Sequence, residues 1–158
     1  MALDYMPYGR LGDLMGAAAK IVDVLGGPRV IGRNVSTLDD LAKRLRKGLP
    51  YSAVESVMDT LEISREMLAS TLQIPPRTLA RRKREGALGP GESDRLYRLA
   101  RVVAHALTVF EDDKKVATWM IRPNRALLGQ FPMEVLDTDI GVQQVDDILG
   151  RIEYGIHS

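Results

Sequence analysis

Residues 64–86 read SREMLASTLQIPPRTLARRKREG, and the fold turns on how this stretch is divided. Ser64 is an N-cap residue, whose hydroxyl can accept one of the amides left free at a helix start, so a helix is expected over Arg65 to Leu72. Gln73-Ile74-Pro75-Pro76 then breaks and restarts the chain, because a residue before proline is pushed out of the helical region. A further helix is expected from Arg77 to Glu85, ending at Gly86. Small Ala69 suits a close helix crossing, while Ile74 and Leu79 are placed to anchor the turn and the second helix. Two short helices around a tight turn are the outline of a DNA-reading helix-turn-helix.

Charge sharpens that reading. Arg77, Arg81, Arg82, Lys83 and Arg84 put five cations into eight residues with no acid among them. Thr78 and Arg81, near the N-terminal end, are expected to face a DNA groove, where an arginine fork donates twice to guanine for roughly 1–3 kcal/mol of discrimination. Arg82, Lys83 and Arg84 are expected on phosphates, which position a protein without specifying sequence. The same run also reads as a solvated helix end, where cations complement the macrodipole. Its place in the helix-turn-helix outline favours nucleic acid, and DNA over RNA because no aromatic stacking platform lies nearby. Gln73 stands where such turns usually carry glycine, which leads us to expect a departure in turn geometry or in DNA affinity.

Working outward, Pro50 opens a helix whose buried face is Val54, Val57, Met58 and Leu61. Before it, Ser36 or Thr37 caps a short amphipathic helix through Leu41 and Leu45 that stops at Gly48. Leu11, Leu14, Met15, Ala18, Val22 and Leu25 form a first helical stripe ending at Gly26-Gly27-Pro28. Beyond Gly86, an exposed connection through Gly89, Pro90 and Gly91 leads to a long helix with stripe Leu96, Leu99, Ala100, Val103, Leu107 and Phe110. Four shorter pieces follow: a helix around Val116 to Ile121, one near Ala126, one after Pro132, and a last helix from about Gly141 to Tyr154. No sustained period-two alternation occurs, so the fold class is all-α. The expected organisation is an N-terminal helical segment (1–35), a helix-turn-helix domain (36–100) and a small helical domain (101–158).

Composition bounds the function. A chain of 158 residues can bury a real core. The absence of cysteine excludes disulfides and cysteine-based metal sites, and together with a start lacking a basic-then-apolar signal it leads us to expect a cytoplasmic protein. The net charge of +1 conceals an asymmetry: residues 134–158 hold six acids against one arginine, a balance of −5 that leaves +6 for the rest. Two surfaces with different partners are therefore expected, one basic and one acidic. Enzymatic chemistry finds no foothold. The two histidines, His105 and His157, have no second ligand at metal spacing, and we read His105 as a packed or half-exposed side chain. Gly9, Gly12 and Gly16 lack the sequel of a phosphate loop, and the pairs Asp39-Asp40, Asp112-Asp113 and Asp146-Asp147 point in different directions on a helix. No cofactor, metal, small-molecule substrate or membrane is implied.

The last third carries an ordered series: Trp119, then PNRALLG at 123–129, PMEVLDT at 132–138, Gly141, and LGRIEYGIHS at 149–158. With LARR at 79–82, this series resembles the Xre-type antitoxins that are paired with RES-domain toxins, a plan shared by the ParS and MbcA antitoxins. The resemblance covers roughly residues 36–158 and implies an Xre-like helix-turn-helix domain followed by a helical toxin-binding domain. It further implies a homodimeric antitoxin that sequesters an NAD-consuming toxin and represses its own operon at operator DNA. In this family the final segment occludes the toxin's cleft. Carried onto this chain, the toxin-binding residues are Asp147, Ile148, Arg151, Ile152, Glu153, Tyr154, Gly155, Ile156, His157 and Ser158. Val145, Ile148, Leu149 and Ile152 would give the docking stripe, and Asp146, Asp147 and Glu153 would complement a basic cleft. The plainer alternative is that this end packs on the chain's own core and frays. Trp119 and Phe131 read as core residues. At the level of the whole molecule, the alternative to an antitoxin is a free-standing helix-turn-helix regulator with no toxin partner.

Overall fold

The computed structural model describes residues 11–155, with side chains from Gly16 onward, so the expectations placed on the side chains of Leu11, Leu14 and Met15 and on Ile156, His157 and Ser158 lie outside the described residues. The described chain is helical. It runs α1 (Leu11–Val24), α2 (Pro28–Ile31), α3 (Leu38–Lys47), α4 (Tyr51–Leu61), α5 (Arg65–Leu72), α6 (Pro76–Glu85), α7 (Pro90–Phe110), α8 (Asp113–Met120), a 3₁₀ turn (Arg125–Leu127), α9 (Pro132–Val135) and α10 (Asp139–Glu153). Among these residues no helix is long and apolar enough to cross a membrane.

Capping chemistry sets most of the starts. Thr37 accepts the Asp40 amide while Asp40 accepts the Ser36 and Thr37 amides, and these bonds, that from Ser36 foremost, hold the Asp40 carboxyl below its ordinary pKa. Ser64 caps α5 as expected, its hydroxyl accepting the Met67 amide. Two starts fall earlier than periodicity suggested. Asp112 caps α8 through the Lys114 and Lys115 amides, and Thr138 caps α10 through the Gly141 amide. α2 was not anticipated. Four residues following Gly27 are too few to show a period, and the turn is held by Arg44, whose guanidinium donates to the carbonyls of Ile31 and Gly48.

α7 is the axis of the molecule. Leu96, Leu99, Ala100, Val102, Val103 and Ala106 are buried along it, and α1, α3, α5, α8 and α10 all pack against it. Leu107 and Phe110, expected in the same stripe, are only partly covered, Phe110 meeting Trp119 at a ring-centroid distance of 5.5 Å. At the start of α7 the chain returns to the loop before α4, through an isolated antiparallel bridge between Pro50 and Ala87. The Tyr51 amide donates to the Gly86 carbonyl at 2.9 Å and the Leu88 amide to the Leu49 carbonyl at 2.8 Å. Buried Ser93 completes the joint by accepting the Leu49 amide at 2.7 Å.

α10 is fastened to α7 by apolar and ionic contacts together. Val145, Ile148 and Leu149 enter the core. Beside them Arg98 pairs with Asp139, Arg101 with Asp146 at 3.4 Å, and His105 with both Asp146 at 3.1 Å and Glu153 at 3.0 Å. The hydrogen bond to Asp146, with that to Glu153, outweighs partial burial and raises the His105 pKa above its ordinary value. Gly141 lets the start of α10 approach α9: a Cβ there would stand 1.6 Å from the Val135 carbonyl oxygen, a distance no substituent can occupy.

Two outcomes follow for stability. Gly141→Ala must push α10 off α9, and thermal unfolding should register a loss of about 1–3 kcal/mol or more. For His105, a folded pKa above the unfolded value means its stabilisation is complete below about pH 6.5 and disappears as pH rises through the folded pKa. Denaturant midpoints of the wild type and His105→Gln should therefore differ most at about pH 5.5–6 and converge in alkaline solution, by the same linkage.

Candidate functional site

α5 and α6 build a helix-turn-helix whose interior is as expected. Leu68, Ala69, Leu72, Ile74 and Leu79 are buried, and Pro75 and Pro76 restart the chain into α6. Gln73 does not distort the turn. It adopts the left-handed conformation (φ 55°, ψ 41°), its amide donates to the Ala69 and Ser70 carbonyls, and its side-chain amide also donates to Ser70 at 2.9 Å. Glutamine thus takes the left-handed conformation that glycine favours, with the extra side-chain hydrogen bond offsetting its Cβ penalty.

The cations of α6 divide. Arg77, Arg81, Lys83 and Arg84 are exposed, and Thr78 is half-buried. Arg81 lies 3.5 Å from Glu85, an exposed pair worth little in water. Arg82 is different, and the expectation that it holds a phosphate needs correction. Its Nε donates to Glu92 at 2.7 Å and its Nη1 to Glu85 at 3.0 Å, while the same Glu92 oxygen accepts the Gly89 amide at 2.8 Å. Glu92 is buried, so removing Arg82 would leave a carboxylate stranded. Arg82 therefore fastens α6 to α7. Glu92 is the partner the sequence did not reveal, since ten residues of separation match no helical spacing.

At the other end of the molecule, α10 turns two faces outward and inward in alternation. Asp146 points to α7, and its neighbour Asp147 is exposed, so the adjacent acids diverge as expected. Ile148 is corrected: at 8% exposure it belongs to the chain's own core with Val145 and Leu149, and only Ile152 of the anticipated docking stripe remains open, at 41%. The physical reason is helical spacing: Ile148 lies three residues after Val145 and next to Leu149, on the face of α10 that packs into the core. From Arg151 to Gly155 every residue is exposed, Tyr154 at 78%. The His105–Glu153 pair ties the root of this segment to α7. Sequence reading gave Glu153 a partner's role and missed this contact, because a residue 48 positions away leaves no local signal.

The comparisons bear on both regions. Residues 40–101 match the model of the antitoxin Xre-like helix-turn-helix domain, and residues 105–155 match that of the antitoxin Xre/MbcA/ParS C-terminal toxin-binding domain. One match ends and the next begins inside α7. The antitoxin Xre of Yersinia enterocolitica is 33% identical over 132 residues, covering 82% of this chain and 89% of that protein. The antitoxin Xre of Photorhabdus laumondii is 35% identical over the same length and shares. The antitoxin Xre of Pseudomonas putida is 40% identical over 83 residues, about half of each chain (52%). A helix-turn-helix with free cations on its second helix, followed on one continuous α7 by a matched toxin-binding domain, makes this chain a member of the Xre family of antitoxins.

Proposed function

We propose that this antitoxin neutralises an NAD-consuming RES-domain toxin by inserting Arg151 to Ser158 into the toxin's active-site cleft, with Asp147 at its rim. The reading is carried by one observation: α10 is core-bound through Leu149, and from Arg151 to Gly155 every residue is exposed, Ile152 and Tyr154 among them. Exposed apolar side chains at the end of an anchored helix are what a docking segment requires. Exposed Asp147, with Glu153 near the end of the same helix, suits a cleft that must hold a dinucleotide's phosphates. Arg151 is available to pair with an acid of that cleft, and Ile156, His157 and Ser158 would extend the insertion.

The second activity is operator binding by a homodimer. Arg77, Thr78 and Arg81 are assigned to base edges and Lys83 and Arg84 to phosphates, with Arg82 left in its internal role. The homodimer belongs to the same proposal, because one recognition helix reads one half-site and paired half-sites give the affinity an operator demands. The chain itself does no chemistry in this scheme; it blocks and represses.

Deletion of Glu153–Ser158 should abolish rescue when a cognate RES-domain toxin is co-expressed, while circular dichroism stays that of the folded helical chain and the unfolding midpoint falls only by the loss of the partly exposed His105–Glu153 pair. Rescue that survives the deletion contradicts the insertion. On the DNA side, Arg81→Ala should weaken binding to the protein's own promoter by roughly 1–3 kcal/mol. Lys83→Ala should instead lower the slope of log affinity against log salt by about 0.9, independent of base sequence. Arg82→Ala should lower the melting temperature of the free protein first, and any loss of DNA binding should follow from that. Mobility shifts with both variants unchanged would remove α6 as the reading helix.

A further inference from the structure

The six large hydrophobic residues that stand exposed among the described residues are unevenly spread. Five of them, Ile121, Leu128, Ile140, Ile152 and Tyr154, fall within the stretch matched by the toxin-binding family model, and only Leu38 falls outside it. Leu128 is the extreme case, at 96% exposure. Its neighbour Leu127 is 5% exposed and enters the core, so two consecutive leucines are divided between interior and solvent.

The backbone at Leu128 makes this arrangement unfavourable for folding. Leu128 adopts φ 58°, ψ 35°, the left-handed conformation that asparagine or glycine takes with less strain than a leucine. The turn around it is nonetheless tightly bonded. Asn124 accepts the Ala126 amide through its side chain at 2.9 Å and the Gly129 amide through its carbonyl at 3.0 Å, while the Asn124 amide donates to Gln130 at 2.9 Å. The Leu128 amide itself donates to Arg125 at 3.1 Å. None of these bonds uses the leucine side chain. A leucine here contributes nothing to the core and strains the turn, so folding gives no reason for its isobutyl group, and a rigid turn presents it outward without further ordering entropy on binding.

We propose that Leu128 is an anchor for the toxin, seated in an apolar depression on that protein and separate from the segment that enters the cleft. The assignment rests on the reading of this chain as a toxin's partner, but not on the insertion of the C-terminal segment. The toxin is chosen over a second copy of this chain because the exposed apolar residues gather in the matched toxin-binding domain and are nearly absent from the rest of the described surface.

The test is Leu128→Asn in the full chain, with affinity for the co-expressed toxin measured by calorimetry and thermal unfolding followed alongside. The expected result is a melting temperature equal to or above wild type and an affinity at least ~10-fold weaker, the loss typical of a truncated interface anchor. Affinity within about two-fold of wild type overturns the anchor, on the same tenfold scale. Measured in parallel, deletion of Glu153–Ser158 separates the two readings. If the deletion abolishes neutralisation while Leu128→Asn binds normally, the anchor fails and insertion stands; if binding depends on Leu128 and not on the deleted residues, insertion fails and the anchor stands. Sedimentation of the free chain supplies the remaining outcome: a variant that loses self-association but keeps the toxin overturns the proposal in favour of a dimer contact.

Discussion

The packing of five helices against α7 is the constraint from which the rest of this structure follows. Its 21 residues from Pro90 to Phe110 run without interruption through the end of the helix-turn-helix match and into the toxin-binding match. With Leu96, Leu99, Ala100, Val103 and Ala106 packed by helices of both regions, neither region has a core of its own to fall back on. Both working surfaces are hung from this one rod. α6 is fixed to its beginning by Arg82 and Glu92, and the end of α10 is fixed to its far part by His105 and Glu153.

These two attachments are of the same kind and have the same consequence. Each joins a basic side chain to a carboxylate across two elements, the His105 pair being ionic when the imidazole is protonated. Each also sits at the root of a set of exposed residues: Arg77, Arg81, Lys83 and Arg84 on α6, and Arg151 to Gly155 at the end of α10 and just past it. The exposed groups contribute little to the stability of the free chain. Their usefulness lies in being held at a fixed place on a rigid frame, so that a partner meets them already ordered.

Local signals made much of this legible in advance. Ser64, the double proline at 75–76 and the 3.6-residue stripes place α4 to α7 within a residue or two, because caps, ring constraints and periodicity are properties of neighbours in the chain. The absence of any sustained period-two alternation pointed to the all-helical class. What stayed hidden was every contact made at long range: the Glu92 partner of Arg82, the two carboxylates around His105, Ser93 under Leu49, and Gly141 against Val135. Ile148 illustrates the difficulty. A stripe of apolar residues states that one face of α10 is covered, but whether the chain's own core or another protein covers it depends on how far α10 runs along α7. The orientation of Leu128 was equally invisible, since the paired leucines at 127 and 128 look alike until the left-handed turn sends one in and one out.

Amide hydrogen exchange at residues 147–158, compared between the free antitoxin and its complex with the toxin, tests the central claim most directly. Insertion of this segment into a closed cleft predicts that the amides from Arg151 onward become markedly more protected in the complex than in the free chain. Equal exchange in both states, with the toxin demonstrably bound, would show that the end of the chain remains in solvent and that neutralisation proceeds through another surface.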